Sequence, residues 1–353
     1  MNNKTNEIDQ LSILLSEKDP DTISYSKSIF YLLTKNLPSD YASKAEVKND
    51  TLIVPYTIIK KSKIAKDHDV KEVVLLASER PDRNTSIRST LDLWGLSSYV
   101  DYLYTTAELS FLEGLTPIFE GGFLSPTELK KLSEILAFLK ILIPSSSLKY
   151  YEQKYNKEYA KKFYEIRLKM LEWAGKMNIP VITGIVIGSE GSDDNFKQTI
   201  DKVCALQEKH KNIHSISLQS EGLLTTGKVT KKSDTLMLKA IDYIKNTNLD
   251  VTISAAPIHM NNISDFIDAG IRDFGSIPIN PEVLFPKMQP INFEEIESIV
   301  ASKGLKFSQR LPIKYDFIKN GQYSKKLGQV FDSYKYKIKK YEQEKLKDLK
   351  TNP

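Results

Sequence analysis

The sequence predicts a single closed (β/α)8 barrel of TIM type. From about Ser24 onward, short apolar runs alternate with segments of helical period, the signature of parallel strands joined by helices. Eight such runs can be counted, which suits one closed barrel better than two open sheets. The length of 353 residues alone would favour two domains, but barrels of this kind hold 250 residues or more as one unit. The expected organisation is a helical extension over 1–22, a barrel over 23–318 and a basic helical tail over 319–353.

The strands are expected at Ser24 to Thr34, Lys71 to Ala77, Thr116 to Glu120, Phe138 to Ile143, Pro180 to Gly188, Ile213 to Gln219, Asp250 to Ala255 and Asp273 to Ile279. Helices are expected over Ser89 to Glu113, Ser125 to Leu136, Glu158 to Asn178, Asp194 to Lys209, Lys232 to Thr247, Asn262 to Ala269 and Asn292 to Lys303. Ser125-Pro126-Thr127-Glu128 reads as an N-cap, a proline at the first helical position and an acid in the first turn. One interval departs from the rhythm: Thr51 to Ile59 reads as a strand or hairpin, so the first connection is expected to be remodelled.

With 41% hydrophobic residues, 50 basic and 45 acidic, the chain is of ordinary globular composition, and its net charge of +5 leaves no excess for a polyanion. Nucleic-acid binding is not expected. No run is long and apolar enough to span a bilayer; the most apolar, Leu136 to Pro144, is short and contains Lys140. No secretory leader is evident, and a cytoplasmic setting is expected. The lysine-rich stretch from Tyr334 to Lys350 is expected to be a solvated helix, with docking on an acidic partner as the alternative. The single cysteine, Cys204, excludes an internal disulfide. His210 and His214 have metal-pair spacing, but one closes a helix and the other opens a strand, so no metal site is expected.

The segments "ISYSKSIFYLLT", "VVLLASERPD", "GLTPIFEGGFLSPTEL", "RLKMLEWAGKMNIPVITGIVIGS", "ISLQ", "AGIRDFGSIPI" and "QRLP" follow one another from Ile23 to Pro312. In order and spacing they resemble the CofG subunit of FO synthase, a radical S-adenosylmethionine (SAM) enzyme family. The resemblance, most specific over Arg167 to Gly188, implies a radical-SAM-type barrel. It also implies a link to the 5-deazaflavin chromophore of coenzyme F420.

In that family three cysteines after the first strand hold a four-iron four-sulfur cluster that binds and cleaves SAM. Here their positions fall on Leu37, Tyr41 and Lys44, none of which offers a thiolate. The expectation is therefore that no cofactor is used, no cluster is present and SAM binding is disfavoured.

Other implied pocket positions are partly kept. The family's Gly-Glu at the second strand end is Ser78-Glu79, its His-Thr-Asn at the third is Ile118-Phe119-Glu120, and its glutamate after the fourth is Pro144. Arg167, Gly184, Gly188, Gln219, Asp273 and Gly275 match. The candidate ligand-binding set is Glu79, Glu120, Arg167, Gln219 and Asp273. Glu79 paired with Arg80 or Arg83, and Glu120 paired with Arg167, are the plain alternatives. Glu120, Asp273 and His259 are the candidate acid and base groups.

Three functions remain open: a cluster-less accessory or binding protein of F420/FO or a related cofactor pathway, an enzyme acting on a small polar metabolite by acid and base chemistry, and a non-catalytic subunit beside a cluster-bearing homologue. The expected partner is thus a small polar metabolite or a protein of that pathway.

Overall fold

The computed structural model describes residues 13, 15–16, 18–34, 51–144, 157–188, 195–285 and 288–351. Eight parallel strands close on themselves: β1 (Thr22–Leu32), β2 (Glu72–Leu76), β3 (Thr116–Glu120), β4 (Phe138–Pro144), β5 (Val181–Ile187), β6 (Ile213–Ser220), β7 (Thr252–Ser254) and β8 (Asp273–Pro278). Closure occurs on β1, which pairs with β8 through Ser26 to Ser28 and with β2 through Ser28 to Leu32. Side chains alternate across the wall: Val73 and Leu75 enter the core beneath the helices, whereas Val74 and Leu76 join the apolar set of the lumen.

A ninth strand, β9 (Lys306–Gln309), was not expected. It pairs with Thr22 to Tyr25, along the edge of β1 that β2 leaves free nearer its start. Its alternation is short and half exposed, so period alone does not separate it from a loop.

The first connection also differs from expectation, because Pro55–Asp67 is a helix, α1. Pro55 sits at its first turn, where a missing N–H costs nothing. Ile58, Ser62 and Ala65 are buried on one face while lysines cover the other. The β-branched residues of Thr51 to Ile59 favour a strand locally, and burial of this stripe outweighs them. Only Leu52 makes a bridge, antiparallel to Thr34.

The single helix expected over Ser89 to Glu113 is two, α2 (Thr85–Leu93) and α3 (Tyr99–Leu112). Gly95, at φ +69°, turns the chain after α2, and Ser98 caps α3 by accepting from Asp101 N at 3.1 Å. The capping box at Ser125 and Glu128 forms at the start of α4 (Pro126–Leu132). The outer layer continues with α5 (Lys157–Lys176), α6 (Asn195–His210), α7 (Glu221–Thr226), α8 (Lys231–Asn246), α9 (Ile263–Asp268) and α10 (Phe293–Ser302).

The C-terminal segment does more than trail. After β9 come α11 (Tyr315–Asn320) and α12 (Lys325–Thr351). Ile313, Phe317, Ile318, Leu327, Phe331 and Ile338 bury themselves against Ile118, Phe138 and Ile182. These close the barrel at the N-terminal ends of its strands. Lys325, Lys335, Lys339 and Lys340 of α12 are exposed, but its apolar stripe is a structural plug and not a solvated tail. Replacing Phe331, 2% exposed, by alanine should lower unfolding stability by about 3–5 kcal/mol, read from the urea midpoint. An unchanged midpoint would return α12 to the status of a free helix.

Candidate functional site

Three polar assemblies lie along the barrel axis. At the mouth, Glu79 stands just after β2, and its Oε1 accepts from Phe123 N at 2.5 Å. Arg167 of α5 is 1% exposed; its Nη1 donates to the Gly121 carbonyl at 3.0 Å, and its Nη2 lies 3.4 Å from Glu79 Oε2. The guanidinium also sits 4.7 Å over the Phe163 ring. Gly122 is needed for this approach, since a Cβ there would fall 2.8 Å from the Glu79 Cα. Glu79 therefore pairs with Arg167, while Arg80 turns away to Asp82 and Glu128.

Inside the lumen, Glu120 ends β3 and Lys140 stands on β4, with Nζ 2.6 Å from Glu120 Oε2. The expected alternative partner for Glu120, Arg167, is thus replaced by Lys140. Lys140, Gln219, His259, Arg310, Ser217, Ser254 and Ser276 line one cavity of about 30 Å3, together with apolar groups that include Phe30, Ile118, Phe274 and Phe285. Gln219 is 2% exposed, and its Oε1 has no hydrogen-bond partner among the described residues. His259 Nδ1 accepts from Ser220 N at 3.2 Å, which leaves the proton of the neutral ring on Nε2. Burial, with Lys140 adding to it, holds His259 down at about 3. Asp234 of α8 accepts from Asn261 N at 3.1 and 3.0 Å and from Asn262 N at 3.0 Å, anchoring the segment that follows His259.

Towards the C-terminal ends of the strands, Phe30, Leu76, Leu142, Val186, Leu284 and Phe285 form an apolar collar, of which Phe30, Leu284 and Phe285 also line this cavity. Gly184 serves the collar: a Cβ there would meet Leu142 Cδ2 at 2.0 Å. The retained glycine thus admits a leucine from the neighbouring strand.

Asp273 does not join Glu79, Glu120 or Gln219, because it is the first residue of β8 and lies at the opposite end of the barrel. Arg310 Nε is 3.3 Å from its Oδ2, and Lys314 Nζ pairs with the same oxygen. Burial would raise this carboxyl, but Arg310 and Lys314 outweigh it and hold it at about 2. His214 packs beside them, its ring 4.1 Å from Phe138 and 4.9 Å from Phe317, with Nε2 accepting from Lys314 N. Asp273 is thereby spent on fixing the C-terminal plug.

Reasoning from sequence missed Lys140, Arg310 and Lys314. Lys140 carried a usable signal, since a cation inside an apolar strand requires a buried counter-ion. Arg310 and Lys314 had none, because their partner is a strand distant in sequence. Leu37, Tyr41 and Lys44 lie outside the described residues, as does the side chain of Pro144. Cys204 is on α6, its Sγ 3.9 Å from Thr247 Oγ1. Among the described residues no three His, Cys, Asp or Glu side chains gather as a metal site, and no helix is long and apolar enough to cross a membrane.

No family model matches the chain. The crystal structure of methylornithine synthase (PylB) is similar in fold, with a TM-score of 0.54 and 13% identity over 87% of this chain and 90% of that one. The molecule is therefore a TIM-type (β/α)8 barrel.

Its sequence relatives are more specific. The 7,8-didemethyl-8-hydroxy-5-deazariboflavin synthase of Methanothermobacter thermautotrophicus is 25% identical over 84% of this chain and 93% of its own length. The synthase of Archaeoglobus fulgidus is 26% identical over 88% and 96%. That of Methanococcus aeolicus is 27% identical over 71% and 72%. The chain is a divergent relative of these synthases.

That relationship corrects the cofactor expectation. The relatives are synthases of the family to which the resemblance assigned a cluster and SAM, which contradicts the expectation that no cofactor is used. The donor set is a separate observation. The chain supplies one thiol in total, on an outer helix, which does not fit the three thiolates that hold such a cluster.

The buried histidines make stability depend on pH. His259 sits at about 3 when folded against an ordinary 6.5, so the unfolded chain takes up protons first. Its contribution is complete above pH 6.5 and is lost as pH falls towards 3, by roughly 4 kcal/mol. His214 is shifted the same way by burial, Lys314 and Arg310. Urea midpoints should therefore fall between pH 7 and 4.5, and His259→Gln should shrink that difference. Equal midpoints across this range would contradict the buried neutral ring.

Proposed function

We propose that this chain is a binding or accessory member of the deazaflavin (F420/FO) or a related cofactor pathway, one that holds a small polar metabolite and does not itself generate the radical. The supporting observation is the apolar collar. Leu76, Leu142, Val186, Leu284 and Phe285 occupy the strand ends where a barrel of this kind places its chemistry. Beside it, Glu79 and Arg167 are engaged with each other. Within the lumen remains a cavity of mixed polar and apolar lining, with an unsatisfied acceptor on Gln219.

Native mass spectrometry of freshly purified protein tests this reading. A small polar molecule should accompany the folded chain and leave on denaturation. Gln219→Leu should reduce its occupancy several-fold. A folded chain with only its own mass would contradict the reading.

A second reading, an enzyme with acid and base groups, is favoured by one observation. Lys140 and His259 line the same cavity, and Glu120 stands 2.6 Å from the Lys140 amine, a short path for a proton.

A further inference from the structure

A lysine amine inside a barrel is a chemical group as well as a charge. Lys140 Nζ is 2.6 Å from Glu120 Oε2, with side-chain exposures of 13% and 2%. A second buried lysine, Lys314, belongs to the floor, where it pairs with Asp273 beside Arg310 and does not line the cavity. Lys140 does line it, facing the Gln219, His259 and serine groups. The unpartnered Gln219 Oε1 calls for a donor on whatever occupies the space. The His259 Nε2 proton offers a donor to an oxygen.

We propose that Lys140 forms a Schiff base with a short hydroxyaldehyde, Glu120 acting as the proton carrier. This rests on the reading that the lumen holds a small polar metabolite and names the class of that metabolite. The size follows from the cavity: about 30 Å3 is roughly twice what one enclosed water requires, room for a molecule of a few heavy atoms. The aldehyde function follows from the amine, the hydroxyl from the Gln219 acceptor.

The step balances within the pair. Glu120 takes one proton from the Lys140 ammonium, and the free amine lone pair forms a C–N bond to the carbonyl carbon. The carbonyl oxygen becomes the carbinolamine hydroxyl once it has gained a proton, with the nitrogen giving one up. Glu120 then returns its proton to that hydroxyl, the C–O bond breaks, and water leaves a protonated imine. No electrons are gained or lost overall, so no oxidant or reductant is required.

Reductive trapping tests this with the whole chain. The protein is exposed to low concentrations of glycolaldehyde with cyanoborohydride, and each lysine's labelling rate is read by peptide mass mapping. Exposed lysines of the same molecule, such as Lys161, provide the internal reference. Lys140 should label at least tenfold faster than Lys161. Glu120→Gln should abolish that advantage while leaving Lys161 unchanged, with circular dichroism confirming the fold. Lys140 labelling no faster than Lys161 would overturn the proposal. A co-purified metabolite bound beside an unmodified, unreactive Lys140 would also overturn it while leaving the binding reading intact.

Discussion

A closed barrel has almost no room for an uncompensated charge, and this chain places several inside one. Glu120 and Lys140 neutralise each other in the lumen, and Asp273 is neutralised from below by Arg310 and Lys314. Taking such ions out of water costs several kcal/mol each unless partners stand at contact distance. The position of the C-terminal segment follows from that requirement. Arg310 and Lys314 must reach Asp273, which carries Ile313 and Phe317 under the barrel and sets the seat on which Leu327, Phe331 and Ile338 pack.

The same constraint separates the two ends of the barrel. At the floor, charge is used to close the structure, and His214 is kept neutral between rings by burial, with two cations beside it adding to the effect. Towards the mouth, apolar side chains seal the lumen and polar ones gather beneath. Gly184 shows how a residue shared with a family can change its service: its missing side chain makes space that Leu142 has taken.

The barrel was legible because its signals are local. Apolar runs, helical period and caps such as Ser125 depend on near neighbours, and all eight barrel strands lie within two residues of the expected bounds at each end. Elements decided by distant partners were not legible. The helix at Pro55–Asp67 contradicts its β-branched start, and β9 exists only because β1 has a free edge. For the site, Glu79, Arg167, Glu120, Gln219 and His259 could be picked out by address. Which carboxylate meets which cation could not, because Lys140 and Arg167 are brought to their partners by packing across the barrel wall.

The central proposal is that this relative of the deazaflavin synthases holds a small molecule without running the radical reaction itself. The most direct measurement is an anaerobic assay of the chain alone, supplied with iron, sulfide, SAM, a reductant and the tyrosine- and ribityl-uracil-derived precursors, with the deazaflavin product read by its fluorescence. The account predicts no product above the protein-free control. Product formed over several turnovers would contradict it.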